Sequence, residues 1–123
     1  MSRERLDLGR RGEDLALAWL QGLGYRLQAR NYRFRGGELD LVMFDGPVLV
    51  FVEVRSRTSL QHGTPLETID YRKRRQIEKT AGFYLAREKI SPDTPCRFDA
   101  VAIDFGNGEP HITHVKNAFI CGE

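Results

Sequence analysis

The apolar positions change period several times along this chain. In residues 10–24, RRGEDLALAWLQGLG, Leu15, Trp19 and Leu23 recur at helical spacing with Ala16 and Leu20, and Gly24 suits a C-terminal cap. The spacing predicts a helix with Trp19 in the core. Residues 25–34 alternate Tyr25, Leu27 and Ala29 with polar side chains and read as a strand. Two strongly apolar strands follow at 38–45 and 48–56, then a loop over 58–69 holding Gly63 and Pro65. Asp70 can cap a helix over 71–89, with Ile77, Ala81, Tyr84 and Leu85 on its inner face. The segment SPDTP at 91–95 ends that helix. A fourth strand at 96–105 and, after the turn GNG, a fifth at 109–115 complete the order αβββαββ. That order predicts an α/β fold, a central mixed sheet flanked by helices, in one domain over residues 1–123.

The second and third strands carry charges that their apolar context does not explain. Gly46-Pro47 fits a two-residue hairpin loop of type II′, with glycine at the position that needs φ > 0. Such a loop sets Asp40 opposite Glu53, Glu38 opposite Arg55, Val42 opposite Phe51 and Phe44 opposite Leu49, all on one face. The other face, Leu39, Leu41, Met43, Val50, Val52 and Val54, is wholly apolar. The charges therefore cluster at one end of a face whose other end is core.

Two carboxylates directly opposed in a sheet repel. A divalent cation reverses the sign, because Mg²⁺ takes carboxylate oxygens, carbonyls, waters and phosphate oxygens. Asp40 and Glu53 can supply carboxylates and Val54 a carbonyl. The bound ion would activate water against a phosphodiester, with Arg55 holding the scissile phosphate. The competing reading is a salt-bridge network of Glu38 with Arg55 and Asp40 with Arg57, an arrangement of little energetic weight when exposed.

Composition changes this picture little. The net charge is only +2, but the basic residues are 15 Arg against 4 Lys. Arginine's planar fork suits phosphate, although a GC-rich genome also favours arginine codons. The run YRKRRQ at 71–76 sets four cations at a helix start, where they oppose the helix dipole. A phosphate partner for Arg72, Lys73, Arg74 and Arg75 would offset that cost, and a merely solvated face is the alternative. Arg10, Arg11, Arg33, Arg35 and Arg57 extend the basic set. Cys96 and Cys121 lack metal or disulfide-framework spacing, and His62, His111 and His114 are too dispersed for a metal site. Arg97 and Asp99 read as structural. The absence of a long apolar run or secretory signal predicts a cytoplasmic chain with no membrane partner.

These pieces together resemble the YraN-like family of small bacterial proteins within the PD-(D/E)xK nuclease superfamily. The resemblance lies in GRRGEDLALAWL (9–20), GGELDLV (36–42), VFVEVRSR (50–57), KRRQIEKTAGFYL (73–85) and RFDAVAI (97–103). It implies a restriction-endonuclease-like, Holliday-junction-resolvase-like fold, with Asp40 as the first acid and Glu53 as the second. It also implies Glu13 as an additional acid of the metal site; the alternative is that Glu13 merely complements the helix dipole. Arg55 stands where the superfamily usually has lysine. Arginine clamps phosphate but does not readily deprotonate, so Lys73 reaching in from the second helix is one substitute. The expected function is an endonuclease dependent on Mg²⁺ (or Mn²⁺), acting on structured or branched DNA. The alternative is a non-catalytic nucleic-acid-binding or interaction module that keeps the fold. A homodimer is left open.

Overall fold

A computed structural model describes residues 3–58, 69–106 and 108–119 of the chain. Seven elements follow the expected order: α1 (Arg3–Gly22), β1 (Arg26–Phe34), β2 (Gly37–Asp45), β3 (Val48–Arg57), α2 (Tyr71–Arg87), β4 (Cys96–Asp104) and β5 (His111–Val115). The strands form one sheet in the order β1-β2-β3-β4-β5, antiparallel except for the parallel pair β3–β4. The parallel pair requires a crossover connection, and α2 lies in it.

α1 begins earlier than its apolar pattern and ends in a Schellman cap. The Tyr25 N–H donates to the Leu20 carbonyl and the Gly24 N–H to that of Gln21, with Gly24 at φ +94°. Ala16 and Leu20 face the sheet. Trp19, expected in the core, is 43% exposed, and Leu23 is exposed too. Gly12, Ala16 and Leu20 form the stripe nearest the sheet, and Trp19 lies one position off it. α2 starts where Asp70 caps it, Oδ1 accepting from the Lys73 N–H at 2.9 Å. Its buried residues are Ile77, Thr80, Ala81 and Tyr84.

Two cores sit on opposite faces. Ala16 and Leu20 of α1 pack on Leu41, Met43, Val50, Val52, Val101 and Ile103. Ile77, Ala81 and Tyr84 of α2 pack on Val42, Leu49, Phe51, Phe98 and Ala100. Leu39 belongs to this second core, not beside Leu41 as strict alternation predicts. The reason lies in the sheet: Asn31, paired across from this stretch, takes φ +54°, and the β2–β3 ladder runs only from Asp45↔Val48 to Leu41↔Val52. The two-residue loop is as expected, with Gly46 at φ +58°. The His62, Gly63 and Pro65 loop and Cys121 lie outside the described residues.

β2 begins where α2 comes closest. A Cβ built on Gly37 would lie 1.9 Å from Thr80 Oγ1, and that hydroxyl is held by the Gln76 carbonyl at 2.9 Å. Gly37→Ala is therefore expected to destabilise the fold by about 1–3 kcal/mol through overpacking. Thr80→Ala in the same chain should recover part of the loss. Urea unfolding of the two single variants and the double variant measures that coupling.

Candidate metal and phosphate site

Past Leu41↔Val52, β2 and β3 are joined by a side chain. The Val54 N–H donates to Asp40 Oδ2 at 2.8 Å. β3 stays in register with β4 on its other side, Glu53 beside Ala100 and Arg55 beside Ala102. Glu53 thus projects from a strand fixed on one flank into the place where the other flank opens. It is 5% exposed, with Oε2 3.3 Å from Arg55 Nη2 and 3.5 Å from Lys73 Nζ. Lys73 reaches it from the first turn of α2, a position set by the Asp70 cap.

Asp40 pays for this neighbourhood electrostatically. Burial first, then the charge of Glu53 and a hydrogen bond with it, push its carboxyl up to about 8; the Val54 N–H opposes the shift and Glu38 adds to it. In the metal-free chain Asp40 therefore holds its proton more tightly than an ordinary carboxylate, and a cation bound there would displace that proton. An unfolded chain loses that proton near the ordinary carboxylate value, so the folded state holds more protons between about pH 4 and 8. The contribution to stability is full below pH 4 and is lost as pH rises through 8. Asp40→Asn does not titrate, so its melting temperature should exceed the wild type's by a margin that grows from pH 5 to pH 8. Each kcal/mol corresponds to roughly 2–8 °C. A margin independent of pH would refute the burial of this acid against Glu53.

A second acid group flanks the first. The Asn31 Nδ2 donates to Glu13 Oε1 at 2.9 Å and to Glu38 Oε1 at 3.2 Å. Arg30 also binds Glu13, at 3.4 Å, and Arg33 lies 3.5 Å from Glu38. Glu13 thus reaches the β1–β2 end of the sheet from α1, held by Asn31 and Arg30. Glu38 pairs with Asn31 and Arg33, where the hairpin register had set it opposite Arg55. Sequence reasoning missed Asn31. Its signal was an asparagine inside an arginine-rich strand, a residue type that tolerates positive φ.

The basic residues divide. Arg10, Arg11, Arg35, Arg72 and Arg75 are exposed. Arg11 lies over Phe105 and Arg75 pairs with Glu78. Arg74 bonds the Ile69 carbonyl and lies over Phe119. Arg57 is buried in a two-point pair with Asp104 at 2.8 and 3.0 Å, so its guanidinium faces Asp104 and not an exposed phosphate path. At the far end of the sheet Asp99 is wholly buried and accepts from Arg97, His114, the Asn117 N–H and Tyr25. Burial alone would raise its carboxyl, but the bonds from His114, Arg97 and Asn117 outweigh that and hold it below the ordinary range. This cluster ties the entry to β1, at Tyr25, to β4 and β5, the structural role expected of Arg97 and Asp99.

Among the described residues no three His, Cys, Asp or Glu side chains converge as a metal cluster. The pair Asp40–Glu53 is what the fold brings together. One or two carboxylates, completed by waters and substrate phosphate, are what Mg²⁺ ordinarily takes from a protein, so the donor set fits such an ion. The Arg55 Nε is buried without a hydrogen-bond partner among the described residues. An orphaned donor beside an acid pair is what a phosphate oxygen would satisfy.

No helix among the described residues is long and apolar enough to cross a membrane. The chain is 43% identical over 119 residues to a UPF0102 protein of Geobacter metallireducens, covering 97% of each chain. It is 50% identical over 115 residues to a UPF0102 protein of Anaeromyxobacter dehalogenans, covering 94% of this chain and 85% of that one. A third UPF0102 protein, from Symbiobacterium thermophilum, is 45% identical over 113 residues, or 91% of this chain and 95% of the relative. Residues 12–103 match the family described as "Uncharacterised protein family UPF0102". The span takes in α1 from Gly12, both acids, α2 and β4 as far as Ile103, and on that match and those relatives the chain belongs to the UPF0102 family, the YraN-like family its motifs resemble.

Proposed function

We propose that this protein is a divalent-cation-dependent endonuclease of structured or branched DNA, working in the cytoplasm. The observation that carries the reading is the half-buried Asp40, bonded to the Val54 N–H beside the buried Glu53, with Arg55 and Lys73 within 3.5 Å of Glu53. Opposed carboxylates destabilise an empty sheet, and a cation turns the same pair into a binding site.

Asp40 and Glu53 would hold Mg²⁺ or Mn²⁺, with the Val54 carbonyl as a third donor. An ion held there would supply a water of lowered pKa and polarise the phosphate. Arg55 offers a fixed positive fork, and its buried Nε has no hydrogen-bond partner among the described residues. Lys73 offers a cation that can also give up a proton, which Arg55 cannot readily do. It thereby supports the substitution that Arg55 calls for in the motif. Glu13, held with Glu38 through Asn31, would orient water at the margin of the site. Arg10, Arg11, Arg35, Arg72 and Arg75 would line the path of the backbone.

The test is an activity screen of the purified chain on duplex, flap and four-way-junction substrates, with Mg²⁺, Mn²⁺ or chelator. Cleavage with metal alone is expected. A specific observation favours a second reading, a binding module: Arg55 and Lys73 already satisfy Glu53 without any ligand. Binding that is equal with metal or chelator, and no cleavage, would establish it.

A further inference from the structure

We propose that the notch between the β1–β2 turn and α2 seats one unpaired nucleotide of a bound strand. The inference rests on the nucleic-acid reading above and adds the feature of the substrate that is recognised. The turn is Arg35-Gly36, closed by Phe34↔Gly37, with φ +49° and +81° at its two residues. Two-residue turns of this kind favour asparagine, aspartate or glycine at both positions. An arginine there is strained, because its Cβ crowds the following carbonyl oxygen.

What the arginine gains is position. Its guanidinium lies over the rings of Phe34 and Phe83, at 5.3 and 5.6 Å. Those rings meet edge to face at 4.6 Å, and Arg87 covers Phe34 at 4.7 Å. Beside them opens a cavity of about 280 Å³ lined also by Arg75 and Lys79, near the lower end of ligand-pocket sizes, ~300 Å³. The notch is rigid. Gln76 Nε2 donates to the Gly36 carbonyl at 3.0 Å, and Gly37 lies against Thr80.

Charge and chemistry select the occupant. Among the described residues Arg35, Lys79 and Arg87 have no carboxylate within ion-pair distance. Flat aromatic and guanidinium surfaces stack bases of any sequence, and unpaired cations hold the phosphates on either side. A phosphate alone would not use the rings, and an apolar ligand would not use the cations. The notch also adjoins the acid site. Gln76, which pins the turn, is one turn along α2 from Lys73, and Glu38 of the neighbouring cavity is two residues before Asp40. An unpaired nucleotide seated here would set the adjoining backbone toward Asp40 and Glu53.

The test uses the full chain in chelator, so that it reads binding alone. Fluorescence anisotropy compares a labelled single strand, a blunt duplex and a flapped duplex, and 2-aminopurine in the flap reports stacking. Phe83→Leu should weaken single-strand and flap binding about 5- to 100-fold, the scale of one lost base stack. It should change blunt-duplex binding less than about twofold and remove the 2-aminopurine quench, whereas Phe83→Tyr should keep both. Arg35→Gly, relieved of strain, should melt higher than wild type while lowering the single-strand salt slope by about 0.7. Equal losses on duplex and single strand, an unquenched wild-type flap, or no binding at low salt would overturn the seat. Because no cleavage is measured, an inactive protein that shows the expected binding pattern would refute the endonuclease reading and leave the seat standing.

Discussion

Asp40→Asn is expected to reduce metal-dependent cleavage by at least about 10³-fold while the protein remains folded. Loss of a single hydrogen-bond donor in an active site costs about 10²–10³, and this change removes an anionic metal ligand. The same substitution relieves a half-buried acid that is pushed up to about 8 by burial and Glu53. It should therefore stabilise the metal-free chain even as it abolishes activity. Calorimetric titration with Mg²⁺ in the presence of uncleaved DNA should show the ion's binding lost in the variant. Cleavage that survives Asp40→Asn would mean that a contaminant or another centre does the work. DNA affinity that is unchanged or higher, with no wild-type cleavage to lose, would place the protein in the binding class.

The second large effect separates the two cations beside Glu53. Lys73→Met is expected to lower the cleavage rate by about 10²–10³-fold, the scale of one electrostatic stabiliser. Arg55→Ala should lose a similar factor, but Arg55→Lys should keep much of the activity, because lysine supplies a cation on the same strand face. The pH–rate profile distinguishes their roles. If Lys73 takes part in proton transfer, Lys73→Arg retains charge and loses the alkaline limb of the profile. Full activity in Lys73→Met would reduce its ion pair with Glu53, 3.5 Å long and partly exposed, to a surface contact of little weight.

The particular elements show how legible the chain was. The two-residue loop at Gly46-Pro47 was readable because glycine's tolerance of positive φ and the apolar alternation on both sides demand the same register. That register, carried one residue past the last pair, Leu41 and Val52, sets Asp40 beside Glu53. The Asp70 cap was equally local, a side-chain oxygen and an N–H three residues on. Trp19 misled because helical spacing defines a stripe about a hundred degrees wide, and only the approach of α1 to β3 at Gly12 decided which edge of it meets the sheet.

Local chemistry, then, was determined by the sequence itself: element order, caps, the hairpin, and the two acids on neighbouring strands. Each depends on residues within one turn, cap or hairpin, whose preferences act whatever surrounds them. The tertiary structure alone decided which charges are spent. It buried Arg57 against Asp104, turned Glu38 to Asn31, brought Lys73 from α2 to Glu53, and laid Arg35 over Phe83. Those pairings join residues from 7 to 48 positions apart. Their partners are chosen by how two helices dock on opposite faces of a twisted sheet, and no pattern of period two or 3.6 carries that information.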